Sequence, residues 1–129
     1  MDKKTIVLVE DEEHVRQMVS KMLSKSGYAV QEAVDGLDGL RKIDAQKPDL
    51  IIADMMMPNL DGLVLVKALK AHRDTKAVPV IFLTAKGDTR SMIEGINVGA
   101  KYYVTKPFQM EDLLSKVSKI LGGAGHRLN

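Results

Sequence analysis

The 129-residue sequence contains no cysteine and no tryptophan. Without thiols there is no disulfide, no zinc–thiolate centre and no cysteine nucleophile. Aromatic residues make up 4%, three tyrosines and two phenylalanines, too few to stack on a flavin or nucleotide ring. Neither G-x-x-x-x-G-K nor G-x-G-x-x-G occurs, so the two common phosphate-cradling loops are missing. No apolar run approaches the ~18 residues of a membrane span, and the opening MDKKTIVLVEDEE holds too short a run for a signal peptide. A cytoplasmic location without membrane contact is therefore expected. A large charge of one sign is also lacking: 19 basic and 17 acidic residues leave a formal net charge of +2. That near-balance gives no reason to expect direct nucleic-acid binding.

What is present suits one globular domain. Apolar residues at 45% and charged residues at 28% are ordinary values for a packed chain. Short apolar runs alternate with helical patterns, which predicts an α/β fold with a parallel sheet. TIVLV, YAVQEAV, DLIIA, VPVIFLT and KYYVT read as strands, the second an edge strand because of its mixed polarity. Between them, Val15, Met18, Val19, Met22 and Leu23 share one helical face, as do Leu37, Leu40 and Ile43. Leu65, Ala68 and Leu69 follow the same period, then Met92, Ile93 and Ile96, then Leu113, Leu114, Val117, Ile120 and Leu121. Asp61 and Asp88 are suited to cap helices; Gly27 and Gly99 are suited to end them. Residues 1–122 form the expected domain, with 123–129, GAGHRLN, a flexible tail or cloning remnant.

Four of the strand runs end in a polar group. TIVLV leads to Glu10 and Asp11, DLIIA to Asp54, VPVIFL to Thr84, and YYVT to Lys106 and Pro107. In open α/β sheets, chemistry gathers beyond the carboxyl ends of parallel strands. Singly, each residue has a plain explanation: carboxylates favour a helix N-terminus, and a strand-end lysine is usually solvated. Asp54 resists one, because it lies between apolar stretches, and a buried carboxylate needs a partner. Two carboxylates about 4 Å apart repel by roughly 4 kcal/mol at an effective dielectric near 20. A divalent cation with hard oxygen ligands relieves that repulsion, and Mg²⁺ is the natural choice, with Mn²⁺ the alternative. A carboxylate can then serve as the nucleophile of phosphoryl transfer, with the lysine and threonine as donors to the phosphoryl oxygens.

The motifs VEDE, DMMMPNLDG, LTA and TKPF, in this order and spacing, resemble those of response-regulator receiver domains of two-component signalling over residues 4–121. The resemblance implies a flavodoxin-like (βα)5 fold, a five-stranded parallel sheet of order 2-1-3-4-5 between helical layers. It implies that Asp54 accepts phosphate from a histidine-kinase or phosphotransfer-protein phosphohistidine. Mg²⁺ would be held by Asp11, Asp54 and the Met56 backbone carbonyl, with Glu10 acting mainly through water. Lys106 would hold a phosphoryl oxygen, and the Lys106–Pro107 bond would be cis. Thr84 would move to the phosphoryl group and Tyr103 would turn inward, remodelling a partner-binding face made by the fourth helix, fifth strand and fifth helix. Such a protein is not a conventional turnover enzyme, although it catalyses its own phosphorylation and dephosphorylation. A monomer or weak dimer is expected, reading out to a downstream effector protein.

Several positions depart from the commonest pattern. Lys101 and Tyr102 stand where many receivers have two acidic residues, making the output face less acidic. Met56 places a thioether beside the acceptor and is expected to limit water approach; Lys86 is a second candidate for tuning that rate. His14, His72 and His126 have no convergent partner and read as surface residues. Two other readings compete. A degenerate receiver would act as a phosphorylation-independent interaction module, against which the intact Asp11, Asp54, Thr84 and Lys106 speak. A haloacid-dehalogenase-like phosphatase would need a second acid two residues after its nucleophile, where this chain has Met56.

Overall fold

The apolar runs pair side by side because parallel strands flanked by helices bury both faces. The computed structural model describes residues 3–57, 60–85 and 89–122. Along the chain run β1 (Thr5–Val9), α1 (Glu13–Lys25), β2 (Ala29–Ala33), α2 (Gly36–Ala45), β3 (Leu50–Asp54), α3 (Gly62–Lys70), β4 (Val80–Ala85), α4 (Thr89–Asn97), β5 (Tyr102–Lys106) and α5 (Met110–Leu121). The five strands are parallel in the order β2-β1-β3-β4-β5, the flavodoxin-like arrangement. Every residue of β3, the central strand, is buried, whereas β2 and β5 at the edges are only partly so.

Strand alternation divides the core in two. Ile6, Leu8, Leu50, Ile52, Ile81 and Leu83 point to the layer that contains Val19 and Leu23 of α1 and Leu113 and Val117 of α5. Val7, Val9, Ile51, Ala53, Val80 and Phe82 point the other way, to Ile43 of α2 and Leu65, Val66 and Leu69 of α3. Asp61 caps α3 as expected, accepting from the Val64 amide at 2.9 Å. Asp35 does the same for α2. Gly27, at φ +99°, takes the left-handed turn after α1.

The helical faces are narrower than the periodicity implied. Met18, Leu37, Ile93 and Ile96 are exposed, while Val66 joins the core and Ala68 only borders it. The arc of a helix in contact with a sheet is narrower than its full apolar stripe, so flanking positions stay in solvent. The Asp88 cap, the Met92 side chain and the tail lie outside the described residues.

Two glycines seat the loop that follows Asp54. A Cβ at Gly62 would lie 2.3 Å from the Asp54 carbonyl oxygen, and one at Gly36 only 1.8 Å from that of Leu60. Hydrogen alone fits there, so the starts of α2 and α3 close directly onto this loop.

Candidate functional site

The register of the sheet brings the sequence-predicted groups to one edge. Asp54 ends β3 opposite Leu83 of β4, Thr84 follows Leu83 and faces Thr105 of β5, and Lys106 faces Ala85. Glu10 follows β1 and donates its amide to the Ala33 carbonyl of β2 at 3.1 Å. These are the carboxyl ends of the strands, where backbone order ends and side chains converge.

Lys106 is the hub. Its Nζ donates to Asp54 Oδ2 at 2.8 Å and lies 2.9 Å from Glu10 Oε1, an ion pair without hydrogen-bond geometry. Glu10 is wholly buried, and its Oε2 accepts from the Glu12 amide at 3.1 Å. Asp54 is 7% exposed, with Oδ1 accepting from the Met56 amide at 3.1 Å. Asp11 is exposed, yet a carboxylate oxygen from each of Glu10, Asp11 and Asp54 lies within 4.8 Å of the others. Thr84 is buried, and its hydroxyl has no hydrogen-bond partner among the described residues.

The charges do not close. Three carboxylates face one ammonium, so negative charge is in surplus whether or not Glu10 holds a proton. Desolvation pushes the Glu10 carboxyl up to about 7, against the opposing pull of Lys106 and of the Glu12 amide, with the Asp54 charge adding to the rise. Burial pulls Lys106 down, but Asp54 and Glu10 together outweigh it and hold the ammonium above the usual lysine range. An all-oxygen donor set, surplus negative charge and an unpartnered buried hydroxyl fit a hard divalent cation beside an anionic oxygen ligand.

Met56 is 65% exposed, at the rim of the crevice. Tyr103 is half-buried and packs against the layer that contains Phe82 and Val98. The Lys106–Pro107 peptide is cis. His14 and His72 are exposed; Lys86 and His126 lie outside the described residues. Glu10, expected to act mainly through water, also makes the direct ion pair to Lys106. Arg16, which no motif singles out, reaches back from α1 to the Glu10 carbonyl at 2.9 Å and to Glu32 at 3.2 Å. The available sequence signal was its helical spacing from Val19 and Ser20, both buried, which puts a cation on the inner face.

Similarity to known proteins extends over nearly the whole chain. Over 122 residues the chain is 38% identical to the phosphate regulon transcriptional regulatory protein PhoB of Pseudomonas aeruginosa, covering 95% of this chain and 53% of that protein. It is 38% identical to the DNA-binding dual master transcriptional regulator RpaA of a Synechocystis species, covering 90% of this chain and 48% of that one. The chain thus spans about half the length of these relatives. Because they are named as transcriptional regulators, the expectation of no nucleic-acid role finds no support in them. The chemotaxis protein CheY4 of Vibrio cholerae superposes with a TM-score of 0.86 at 34% identity, covering 92% of this chain and 99% of that one. No helix among the described residues is long and apolar enough to cross a membrane. Residues 6–118 match the response regulator receiver domain, and the chain belongs to that family, whose role is that of a phosphoacceptor in two-component signalling.

Proposed function

We propose that Asp54 takes a phosphoryl group from the phosphohistidine of a sensor histidine kinase or a histidine phosphotransfer protein, in a step that depends on Mg²⁺. The observation that carries this reading is the Glu10–Asp11–Asp54 cluster around Lys106, with its uncompensated negative charge. Asp11, Asp54 and the Met56 carbonyl would hold the ion, with Glu10 supporting it through water and through Lys106. Bound there, Mg²⁺ supplies charge neutralisation for the transferring oxygens.

The chain's own groups do the positioning. An Asp54 carboxylate oxygen forms the new O–P bond as the P–N bond of the donor breaks, and the imidazole nitrogen keeps the electron pair. Lys106, already bonded to Asp54 at 2.8 Å, is within reach of a phosphoryl oxygen placed there. The Thr84 hydroxyl, unpartnered at rest, gains an acceptor once the phosphoryl arrives. Its movement opens room for Tyr103 to turn inward, which changes the surface of α4, β5 and α5 that a downstream effector reads. A swing from 1:99 to 99:1 between the two forms needs about 5.5 kcal/mol of differential interaction. A cytoplasmic site of action, as a monomer or weak dimer, goes with this function.

Intact-protein mass after incubation with acetyl phosphate tests it. The expected result is one added phosphoryl group that requires Mg²⁺ and is absent in Asp54→Asn. A folded protein that gains no mass and does not bind beryllofluoride would replace the switch with a phosphorylation-independent interaction module.

A further inference from the structure

The cation cluster depends on where the β1–α1 loop holds Asp11. That side chain is exposed, so its position is inherited from the backbone of Glu10 and Asp11. The Glu10 amide is tied to Ala33 of β2, and the Glu10 carbonyl accepts from Arg16 Nη1 at 2.9 Å. The Arg16 side chain is only 12% exposed, and its Nε is held by Glu32 Oε1 at 3.2 Å. The Glu32 side chain is 40% exposed, but its backbone carbonyl accepts from Lys42 Nζ of α2, and Lys42 also pairs with Asp38 at 3.3 Å. A continuous path therefore runs from α2 through β2 and Arg16 to the peptide that carries Asp11.

We propose that Arg16 is a positioning residue of the metal centre, setting the Glu10–Asp11 peptide so that Asp11 and Glu10 can share one divalent cation with Asp54. The inference rests on the Mg²⁺-dependent function proposed above. Partners that orient metal ligands typically contribute about 10–100-fold in affinity. The guanidinium fork serves two acceptors at once, in different directions, which a lysine ammonium at this position does not reproduce. Charge and position also pull in opposite directions here. As a bare positive charge near a cation site, Arg16 opposes Mg²⁺; as a brace for the loop, it favours Mg²⁺.

Calorimetric Mg²⁺ titrations of the wild type, Arg16→Met, Arg16→Lys and Arg41→Met decide between the two. Arg41 is exposed and contacts only Asp38 among the ion pairs of the described residues, so its variant serves as a control. The expected result is a loss of about tenfold in Mg²⁺ affinity in both Arg16 variants. Arg41→Met should match the wild type. In metal-free protein, the backbone amide resonances of Asp11 and Glu12 should shift in the Arg16 variants and not in the control. Tighter Mg²⁺ binding in Arg16→Met, or unchanged binding in a folded Arg16→Lys, overturns the inference. If Arg16→Met fails to fold, the lysine variant, which keeps the charge, settles the question alone. A wild type that binds no Mg²⁺ overturns the proposed function and this inference together, whereas a wild type that binds while the variants bind equally well overturns only this one.

Discussion

The two ends of the sheet share the same strands and the same core, yet they differ in how their charges are matched. At the amino ends the hollows are roomy: about 310 Å³ beside Ile6, Val30 and Pro48, and about 560 Å³ beside Lys3, Lys4 and Asp49. The groups there satisfy one another. Asp49 Oδ2 accepts from the Thr5 amide at 2.8 Å and its hydroxyl at 3.2 Å, and the Asp49 amide donates back to that hydroxyl. At the carboxyl ends the charges do not cancel: a lysine serves two carboxylates, a third stands by, and a buried hydroxyl has no partner among the described residues. What sets the carboxyl end apart is uncompensated charge.

The sharpest way to break that contrast is to neutralise one acid at each end. Asp54→Asn should abolish phosphoryl uptake in the intact-mass assay, while Asp49→Asn should leave it unchanged. In metal-free buffer Asp54→Asn should also raise the urea midpoint, because one surplus negative charge is gone. A large effect follows from removing the shared cation. Lys106→Met leaves Glu10 and Asp54 buried without a counter-charge and should destabilise the metal-free protein by about 3–5 kcal/mol in urea titration. Saturating Mg²⁺ should recover part of that loss.

The raised Glu10 value gives a pH dependence of definite sign. Between its ordinary 4.5 and about 7, the native chain keeps a proton on Glu10 that the unfolded chain has released. Stability of the metal-free protein therefore falls as pH rises through that window, and Glu10→Gln should flatten the decline. Because Mg²⁺ competes with that proton, its affinity should rise over the same interval in calorimetric titrations. At the amino end, Asp49→Ala should cost only about 0.5–1.5 kcal/mol, because water can replace its exposed bonds to Thr5, with Mg²⁺ affinity untouched. The smallest expected effect is on lifetime: Met56→Asn should speed dephosphorylation by about tenfold or less, measured as decay of the phosphorylated mass, by admitting water beside the acceptor.

Much of the centre was legible in the sequence because a parallel sheet converts position along a strand into position in space. Once TIVLV, DLIIA, VPVIFL and YYVT read as neighbouring strands, Glu10, Asp54, Thr84 and Lys106 had to meet at one edge. Helix orientation was harder to read. Met18, Leu37, Ile93 and Ile96 obey the helical period yet remain exposed, since period fixes a face and not how much of it is covered. Pairings that depend on side-chain reach were not legible either. The Glu10–Lys106 contact and the Arg16 brace both depend on where long side chains bend, which spacing does not encode.

The lysine at the hub follows its aspartate partner by 52 positions, and it ends the fifth strand of the sheet. On the ribosome, the Asp54 carboxylate emerges well before the ammonium that steadies it. A nascent chain that has reached only β4 carries Asp54 without its counter-charge. The charge balance of the centre is thus completed only when the fifth strand joins the sheet.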